Sequence, residues 1–240
     1  MKTKNIYYEH DEASGTSIGV KYEKYLYHCQ SKFQNIEVIK THNYGNALYL
    51  DGCFMLSEIN QDHYHNMCID LTPKKSKNIL IVGGGDYGIA SMLVRRDSKI
   101  KISIVEIDDK VVQVSRKYFP DHFKLTKKQL NNIKLIIENG MVFIKNNRTK
   151  YDSIIIDSTD PVGQAKILYS KNFIKLCNNS LKKGGTLIQQ SGSPINDMKS
   201  LIKPLVKKYT DIGMKKIILS SFSMPLYPTG TWSFISAKRA

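Results

Sequence analysis

The sequence predicts an α/β protein in which a small antiparallel β domain precedes a doubly wound parallel sheet. Two patterns carry this prediction. Up to about Gly52, short segments alternate apolar and polar residues and are separated by turn residues, as in antiparallel strands. From Asn78 onward, apolar strand segments alternate with helical patterns, as in right-handed crossovers between parallel strands. We therefore predict an N-terminal β domain over residues 1–55 and an α/β domain over residues 56–240.

The elements follow from local patterns. In the first domain, the alternation is clearest in residues 34–39 and 47–50, with turns at 43–46 and 51–52. Residues 60–71 change to a helical spacing, and Pro73 ends this helix. The α/β domain is then predicted to contain strands ending at Val82 and Glu106, strands over 133–137, 153–156, 186–189, 215–219 and 232–235, a helix ending near Arg95, and helices over 110–118 and 171–181.

A glycine-rich turn, residues 83–88, directly follows the strand that ends at Val82. Its glycines supply positive φ angles and allow backbone amides to approach a ligand closely. Glu106 ends the next strand, roughly 20 residues after Gly85, where an acidic side chain accepts the hydroxyl hydrogens of a ribose. Turn, strand and acidic residue together predict a Rossmann-like nucleoside-binding domain.

Asp86 within this turn argues against a dinucleotide. A pyrophosphate needs neutral amides at the start of a helix, whereas a carboxylate there suits a ligand that carries positive charge. The alternative is that Asp86 caps the following helix.

A second acidic pair, Asp157 and Asp160, follows the strand over 153–156. Ligands of doubly wound sheets bind at the carboxyl ends of the strands, so the glycine turn, Glu106, Asn139, Asp157 and Gln190 are expected to converge on one cleft. One carboxylate of the pair could hold an ammonium group while the other accepts a proton from it. The alternative is a capped turn in which both acids are solvated.

Composition narrows the class of protein. No apolar run approaches the roughly 20 residues that span a bilayer, and no signal-peptide core follows Met1, so we expect a soluble protein without a membrane partner. The four cysteines form no CxxC pair, as in a reduced cytoplasmic protein without a zinc site. The formal charge of +15 is spread along the chain, so we expect no nucleic acid partner. No metal or redox cofactor is indicated.

Eight segments, in order along the whole chain, resemble the polyamine aminopropyltransferases, the spermidine synthase family. They are residues 30–34 (QSKFQ), 50–52 (LDG), 57–58 (SE), 64–65 (YH), 83–86 (GGGD), 105–108 (VEID), 157–163 (DSTDPVG) and 227–230 (YPTG). The combination of the fifth and seventh segments is specific to this family.

The resemblance implies a methyltransferase-type domain that binds decarboxylated S-adenosylmethionine as a co-substrate. Its aminopropyl group would pass to a diamine such as putrescine, giving spermidine and methylthioadenosine. By this likeness Asp157 is the base, the donor is bound by Gln34, His65, Gly83, Gly85, Asp86, Glu106, Asn139 and Gly140, and the acceptor is positioned by Tyr64, Asp160 and Tyr227. The partners would be the diamine and the sulfonium nucleoside, and we expect a homo-oligomer, either a dimer or a tetramer.

The chain departs from the usual family pattern at Met55, Asn60, Gln61, Asn66, Tyr87, Asn139 and Leu226. Several of these departures remove negative charge, which would favour a smaller or less charged amine or a slower enzyme. Two alternatives stay open: a methyltransferase that uses intact S-adenosylmethionine, and a degenerate relative that binds nucleosides without turnover. Asp86 argues against the first, because the intact donor's carboxylate would face it.

Overall fold

The computed structural model describes residues 5–11 and 14–240, which form two β-sheets. The N-terminal sheet is an antiparallel meander with the order β1-β2-β3-β4-β5. Its strands are β1 (Ile6–Asp11), β2 (Thr16–Gln30), β3 (Asn35–Thr41), β4 (Asn46–Leu50) and β5 (Cys53–Ser57). The boundary predicted between residues 55 and 56 thus falls within β5.

The alternation of side chains across the N-terminal sheet places apolar residues on both of its faces. Ile36 and Val38 of β3 pack in one cluster, and Ile39 lies in another with Tyr49 and Phe54. The first cluster also contains Val111, Val114 and Phe119 of the second domain. The two domains therefore share apolar cores on either side of the sheet.

The second sheet has seven strands in the order β11-β12-β10-β9-β6-β7-β8. Its strands are β6 (Asn78–Gly83), β7 (Lys101–Glu106), β8 (Ile133–Ile137), β9 (Tyr151–Asp157), β10 (Leu181–Gln190), β11 (Lys215–Ser223) and β12 (Thr231–Lys238). The five strands from β10 to β8 are parallel, and β12 pairs antiparallel with both β10 and β11. The predicted α/β fold class is confirmed, with the refinement that β12 runs in the opposite direction to the other six strands.

Seven α-helices surround this sheet in the described part of the chain. They are α1 (Asp62–Leu71), α2 (Gly88–Arg96), α3 (Asp109–Tyr118), α4 (Lys127–Leu130), α5 (Gly140–Asn146), α6 (Lys171–Ser180) and α7 (Lys203–Asp211). Three further helical segments are 3₁₀ turns, at Pro120–Phe123, Gly163–Tyr169 and Pro228–Gly230, and Met198–Ile202 is a π-helical turn. The sequence patterns had not assigned α4, α5 or α7.

The central strand β6 is buried on both faces, which explains its uninterrupted apolar sequence. Ile79 and Ile81 pack in the cluster that contains Leu93 of α2, whereas Leu80 and Val82 pack in the opposite cluster. The carboxyl end of β6 is thereby held between two helical layers. Within residues 5–11 and 14–240, no helix is both long and apolar enough to cross a membrane.

Candidate active site

A cavity of about 320 Å³ lies where the carboxyl ends of β6, β7 and β9 face the N-terminal sheet. The structure brings all twelve residues that the family resemblance assigns to the site to its wall. They are Gln34, Tyr64, His65, Gly83, Gly85, Asp86, Glu106, Asn139, Gly140, Asp157, Asp160 and Tyr227. Apolar residues of the N-terminal sheet, among them Leu48 and Leu50, complete the wall. The site is thus formed by both domains.

The glycine turn is locked against the neighbouring strand β9. Gly83 has φ +87°, and a Cβ atom there would lie 1.9 Å from the backbone oxygen of Asp157. The Gly84 amide donates to this same oxygen at 3.2 Å. Tyr87, also left-handed at φ 66°, is the N-cap residue of α2. Asp86 is therefore not at the N-cap position, although its carboxylate, which lines the cavity, also accepts from the Gly88 amide at the start of α2.

Glu106 lines the cavity at the end of β7. Its Oε2 accepts from the Gly85 amide at 3.2 Å, and its Oε1 accepts from the Asp108 amide at 3.0 Å. Burial raises the pKa of Glu106 to about 7, although these backbone donors oppose the shift. Each carboxylate oxygen can accept more than one hydrogen bond, so Glu106 has capacity for ligand hydroxyls.

Gln34 reaches the cavity from the connection between β2 and β3, where Asp108 orients it. Asp108 Oδ2 accepts from Gln34 Nε2 at 3.1 Å and from Ser31 Oγ at 2.6 Å. Its other oxygen accepts from the Lys110 amide at the start of α3. Asp108 thus ties the N-terminal domain to the helix that follows Glu106.

Asn139 lies at the start of α5, immediately after β8. Its Oδ1 caps the helix by accepting from the Met141 and Val142 amides at 2.9 and 3.3 Å. A Cβ atom on the next residue, Gly140, would lie 2.7 Å from Val82 Cγ1, so this glycine permits close packing against β6. Both residues line the same end of the cavity as Glu106.

Two histidine side chains lie beside the carboxylate of Asp86. Its Oδ2 lies 3.3 Å from His65 Nε2 and 3.6 Å from His122 Nδ1. Burial alone would raise the pKa of Asp86, but the His65 hydrogen bond and both imidazoles hold it at about 2. Burial lowers the pKa of the His65 imidazole, but the hydrogen bond and charge of Asp86 outweigh burial, so the pKa is raised overall. Asp86 is consequently ionised across the physiological range.

Asp157 has the opposite electrostatic environment. Withdrawal from water, followed by the charge of Asp86, raises its pKa to about 6, and a hydrogen bond from Tyr64 opposes this shift. Tyr64 Oη donates to Asp157 Oδ1 at 2.7 Å. Asp157 is therefore a carboxylate near neutral pH that binds a proton more readily than an exposed aspartate does.

Two further carboxylates line the cavity, Asp51 of the N-terminal domain and Asp160, which lies beyond Asp157 on the same loop. Asp160 Oδ1 accepts from Gln190 Nε2 at 3.2 Å, and burial raises the pKa of Asp160 to about 6 against that hydrogen bond. Tyr227 contributes an aromatic wall: its ring lies 6.3 Å from that of Tyr64, and its hydroxyl donates to the Met55 carbonyl at 3.3 Å.

Two residues with close contacts to the site had no role in the sequence prediction: Asp108 and His122. Asp108 had a signal, because it stands two residues after Glu106 at the start of a helix. His122 had none, because nothing local in its sequence indicates that it packs against Asp86. Gln190 was predicted at the cleft because it ends a strand, but it does not line the cavity and instead donates to Asp160 behind the wall.

Most departures from the family pattern lie away from the cavity. Of the seven, only Met55 and Asn139 line it. Asn66, where the family has a glutamate, is exposed to solvent on α1. The loss of acidic groups around the start of α1 therefore leaves the cavity carboxylates in place.

The strand order and the cavity at the carboxyl edge place the chain in the class of α/β transferases with a methyltransferase-type sheet. Residues 61–240 match the family model of the spermine/spermidine synthase domain, and residues 6–58 match that of the spermidine synthase tetramerisation domain. The chain belongs to the spermidine synthase family of polyamine aminopropyltransferases and is an aminopropyltransferase. The match to a tetramerisation domain supports a homo-oligomer.

Individual relatives agree with this assignment. The polyamine aminopropyltransferase of Methanocaldococcus jannaschii is 35% identical over 239 residues, covering 98% of this chain and 80% of the relative. That of Alkaliphilus metalliredigens is 34% identical over 251 residues, covering 98% and 83%. A spermidine synthase in complex with the transition-state analogue AdoDATO superposes with a TM-score of 0.88 at 26% identity, covering all of this chain and 82% of the other. The spermidine synthase of Thermotoga maritima gives the same score and identity, with 81% of its chain covered.

Proposed function

We propose that this enzyme transfers the aminopropyl group of decarboxylated S-adenosylmethionine to putrescine, giving spermidine and methylthioadenosine. The observation that carries the proposal is a pair of cavity carboxylates with pKa values pushed apart, about 2 for Asp86 and about 6 for Asp157. Such a pair divides two tasks between chemically identical groups. Asp86 stays charged and attracts a cation, while Asp157 can accept a proton.

Asp86 would bind the amino end of the donor. Decarboxylation leaves an aminopropyl chain with a terminal ammonium, whereas intact S-adenosylmethionine also carries a carboxylate that Asp86 would repel. Glu106 would accept hydrogen bonds from the ribose hydroxyls, and Asn139 and Gly140 would lie beside the adenine. Gln34, fixed by Asp108 at 3.1 Å, and His65 would line the donor between these ends.

Asp157 would take the proton of the attacking amine. The amine enters as an ammonium with a pKa of about 10, by analogy with lysine, and must lose a proton before its lone pair can attack. Its nitrogen then bonds to the propyl carbon attached to sulfur, while the electron pair of that carbon–sulfur bond moves to sulfur. Methylthioadenosine leaves as a neutral thioether, and the proton resides on Asp157. Tyr64, Asp160 and Tyr227 would hold the acceptor in line with the sulfur.

The sulfonium supplies its own leaving group, so the proposed reaction uses two small-molecule substrates and no additional cofactor. We also propose that the chain acts as a dimer or tetramer, in keeping with the tetramerisation domain matched by residues 6–58.

Product analysis tests this proposal. The purified protein is incubated with decarboxylated S-adenosylmethionine and, separately, putrescine, cadaverine, 1,3-diaminopropane and spermidine, and products are identified by mass spectrometry. Methylthioadenosine together with spermidine from putrescine is expected. A methylated amine formed from intact S-adenosylmethionine, or donor binding without any product, contradicts the proposal.

The variant Asp157→Asn tests the role of Asp157 as the base. Because general-base catalysis is typically worth roughly 10²- to 10⁴-fold, this variant should lose transfer by about that factor while retaining donor binding. The asparagine still accepts a hydrogen bond from Tyr64, so the cavity wall is preserved. Full activity in this variant would remove Asp157 as the base.

A further inference from the structure

Two hydrogen bonds to its oxygen fix the orientation of the Gln190 side-chain amide. Gln190 ends β10 with only 2% of its surface exposed. Its Oε1 accepts from the Trp232 indole at 3.1 Å and from the Gly192 amide at 3.1 Å. Both partners are donors only, so the oxygen must point toward them. The NH₂ group of Gln190 is thereby directed to the other side.

On that other side, Gln190 meets the loop that carries Asp160. Its Nε2 donates to Asp160 Oδ1 at 3.2 Å and to the Ser158 carbonyl at 3.1 Å. The Tyr169 hydroxyl is a third acceptor within reach, so the two hydrogens of Nε2 are shared among three acceptors, and the hydrogen of Tyr169 itself is directed to the Thr159 carbonyl at 3.2 Å. A single buried amide therefore holds the loop from residue 158 to 160 against the end of the sheet.

We propose that Gln190 is a positioning residue that fixes Asp160 as the binding partner for a second ammonium group of the acceptor, with Trp232 setting the direction of its amide. This inference rests on the proposed function, because it assumes that Asp157 receives the attacking amine. Asp160, on the same loop as Asp157, is then the carboxylate placed for the distal end of a diamine, whereas Asp51, which also lines the cavity, is exposed and accepts from the Asn35 amide at 2.7 Å. Hydrogen bonds from Gln190 favour the charged form of Asp160, and burial opposes it.

Gln190→Met is the direct variant, since methionine has a similar length and no hydrogen-bonding donors. Gln190→Glu is the second variant: its carboxylate can still accept from Trp232 and Gly192 but cannot donate to Asp160 when ionised. Gln189→Met is the matched control. Gln189 is the adjacent buried glutamine of β10, and its amide oxygen accepts from Tyr209 at 2.8 Å instead of approaching Asp160.

The assay compares putrescine with 1-aminobutane, which has the same carbon chain and no second ammonium. 1-Aminobutane is measured as a substrate or, where its turnover is too slow, as a competitive inhibitor against putrescine. Gln190→Met should raise the KM for putrescine by about ten- to a hundredfold, the usual worth of a hydrogen bond to a charged group, with a smaller change in kcat. The constant for 1-aminobutane should change by less than about threefold. Gln189→Met should leave the ratio between the two amines at the wild-type value.

Parallel losses for both amines, or an unchanged putrescine KM in both Gln190 variants, would overturn the proposal. Because Trp232 is the only tryptophan, its fluorescence in each variant checks that the end of the sheet is folded. In an Asp160→Asn background, Gln190→Met should have little further effect on the putrescine KM, since it acts through Asp160. Wild-type turnover is measured first: its absence with every amine refutes the proposed function, whereas turnover with an unaltered Gln190→Met ratio refutes only the role of Gln190.

Discussion

Glu106 is the residue proposed to bind the ribose of the donor. Two backbone amides already donate to its two oxygens, and burial raises its pKa to about 7. We expect Glu106→Gln to weaken methylthioadenosine and the decarboxylated donor by a similar factor, roughly tenfold to a hundredfold, because both share the ribose. Both oxygens of the Glu106 carboxylate can accept from the backbone amides and the ribose hydroxyls, whereas a glutamine has a single acceptor oxygen for the same donors.

Isothermal titration with methylthioadenosine and with the donor measures this effect directly. The putrescine KM, taken at saturating donor, is the internal control and should change little. Unchanged affinity for both nucleosides would refute the ribose assignment of Glu106.

Residue types at strand ends were the most predictable part of the site. Asp86, Glu106 and Asp157 each follow an apolar strand in the sequence, and parallel topology alone requires their strand ends to meet. The contacts of Gln190 could not be predicted in this way, because its partner Trp232 lies 42 residues further along, on an antiparallel strand. The side chain that orients a catalytic loop leaves no local signal when its partner arrives from another strand.

At the scale of elements, the close approach of β6 to β9 depends on Gly83. These strands pair in parallel register with Gly83 opposite Asp157, and a Cβ atom at Gly83 would collide with the Asp157 carbonyl. Gly83→Ala combines a left-handed backbone with this collision, so it must displace Asp157. We expect a loss of more than about 2 kcal/mol of stability and at least tenfold in kcat.

Gly184→Ala separates the two effects. Gly184 also has a positive φ, +70°, but no atom lies within 4 Å of the position its Cβ would take. Only backbone strain should remain, about 1–2 kcal/mol, with kcat unchanged. Thermal denaturation and kcat are measured for both variants. Equal behaviour of the two alanines would show that the contact with β9 is unimportant.

The parallel strands of the second sheet were predictable from the alternation of strands and helices, but the reversed direction of β12 was not. The strand predicted over 133–137 is observed at Ile133–Ile137, and the one predicted over 153–156 lies within the longer β9, because both segments are rich in isoleucine. The antiparallel direction of β12 is set by its position between β10 and β11, which is a tertiary property. Helix α5 has only seven residues, too few for a helical period to be recognised in the sequence.

At the scale of the whole molecule, the cavity concentrates carboxylates inside a basic protein. The chain has 36 Lys and Arg against 21 Asp and Glu. Nevertheless, Asp86, Glu106, Asp157 and Asp160 all line one cavity, and Glu9 of β1 is buried with an elevated pKa influenced by Asp160. A cationic substrate would thus be attracted locally, against the net charge.

This arrangement predicts how stability depends on pH. Burial raises the pKa of Glu9 and Glu106 to about 7 and that of Asp157 and Asp160 to about 6. Each group binds its proton more tightly when folded, so its contribution to stability is complete below its unfolded pKa and is lost as the pH rises through its folded pKa. Asp86, with a pKa of about 2, changes its contribution only below about pH 4. The Tm should therefore fall by several degrees between pH 5.5 and pH 8, at about 2–4 °C per kcal/mol.

Glu9→Gln isolates one of these contributions away from the proposed chemistry. Glu9 Oε2 accepts from the Phe54 amide at 3.0 Å, a bond that a glutamine oxygen can also accept. The variant should gain stability at pH 8, change little at pH 5.5, and so show a shallower pH dependence than the wild type. Scanning calorimetry at intervals across this range measures both slopes. A wild-type Tm that rises with pH, or a Glu9→Gln slope equal to that of the wild type, would mean that the buried carboxyls do not control stability in this range. If they do, substrates that present ammonium groups to the ionised carboxylates should stabilise the enzyme more strongly at pH 8 than at pH 5.5, because they favour the charged forms that the empty cavity disfavours.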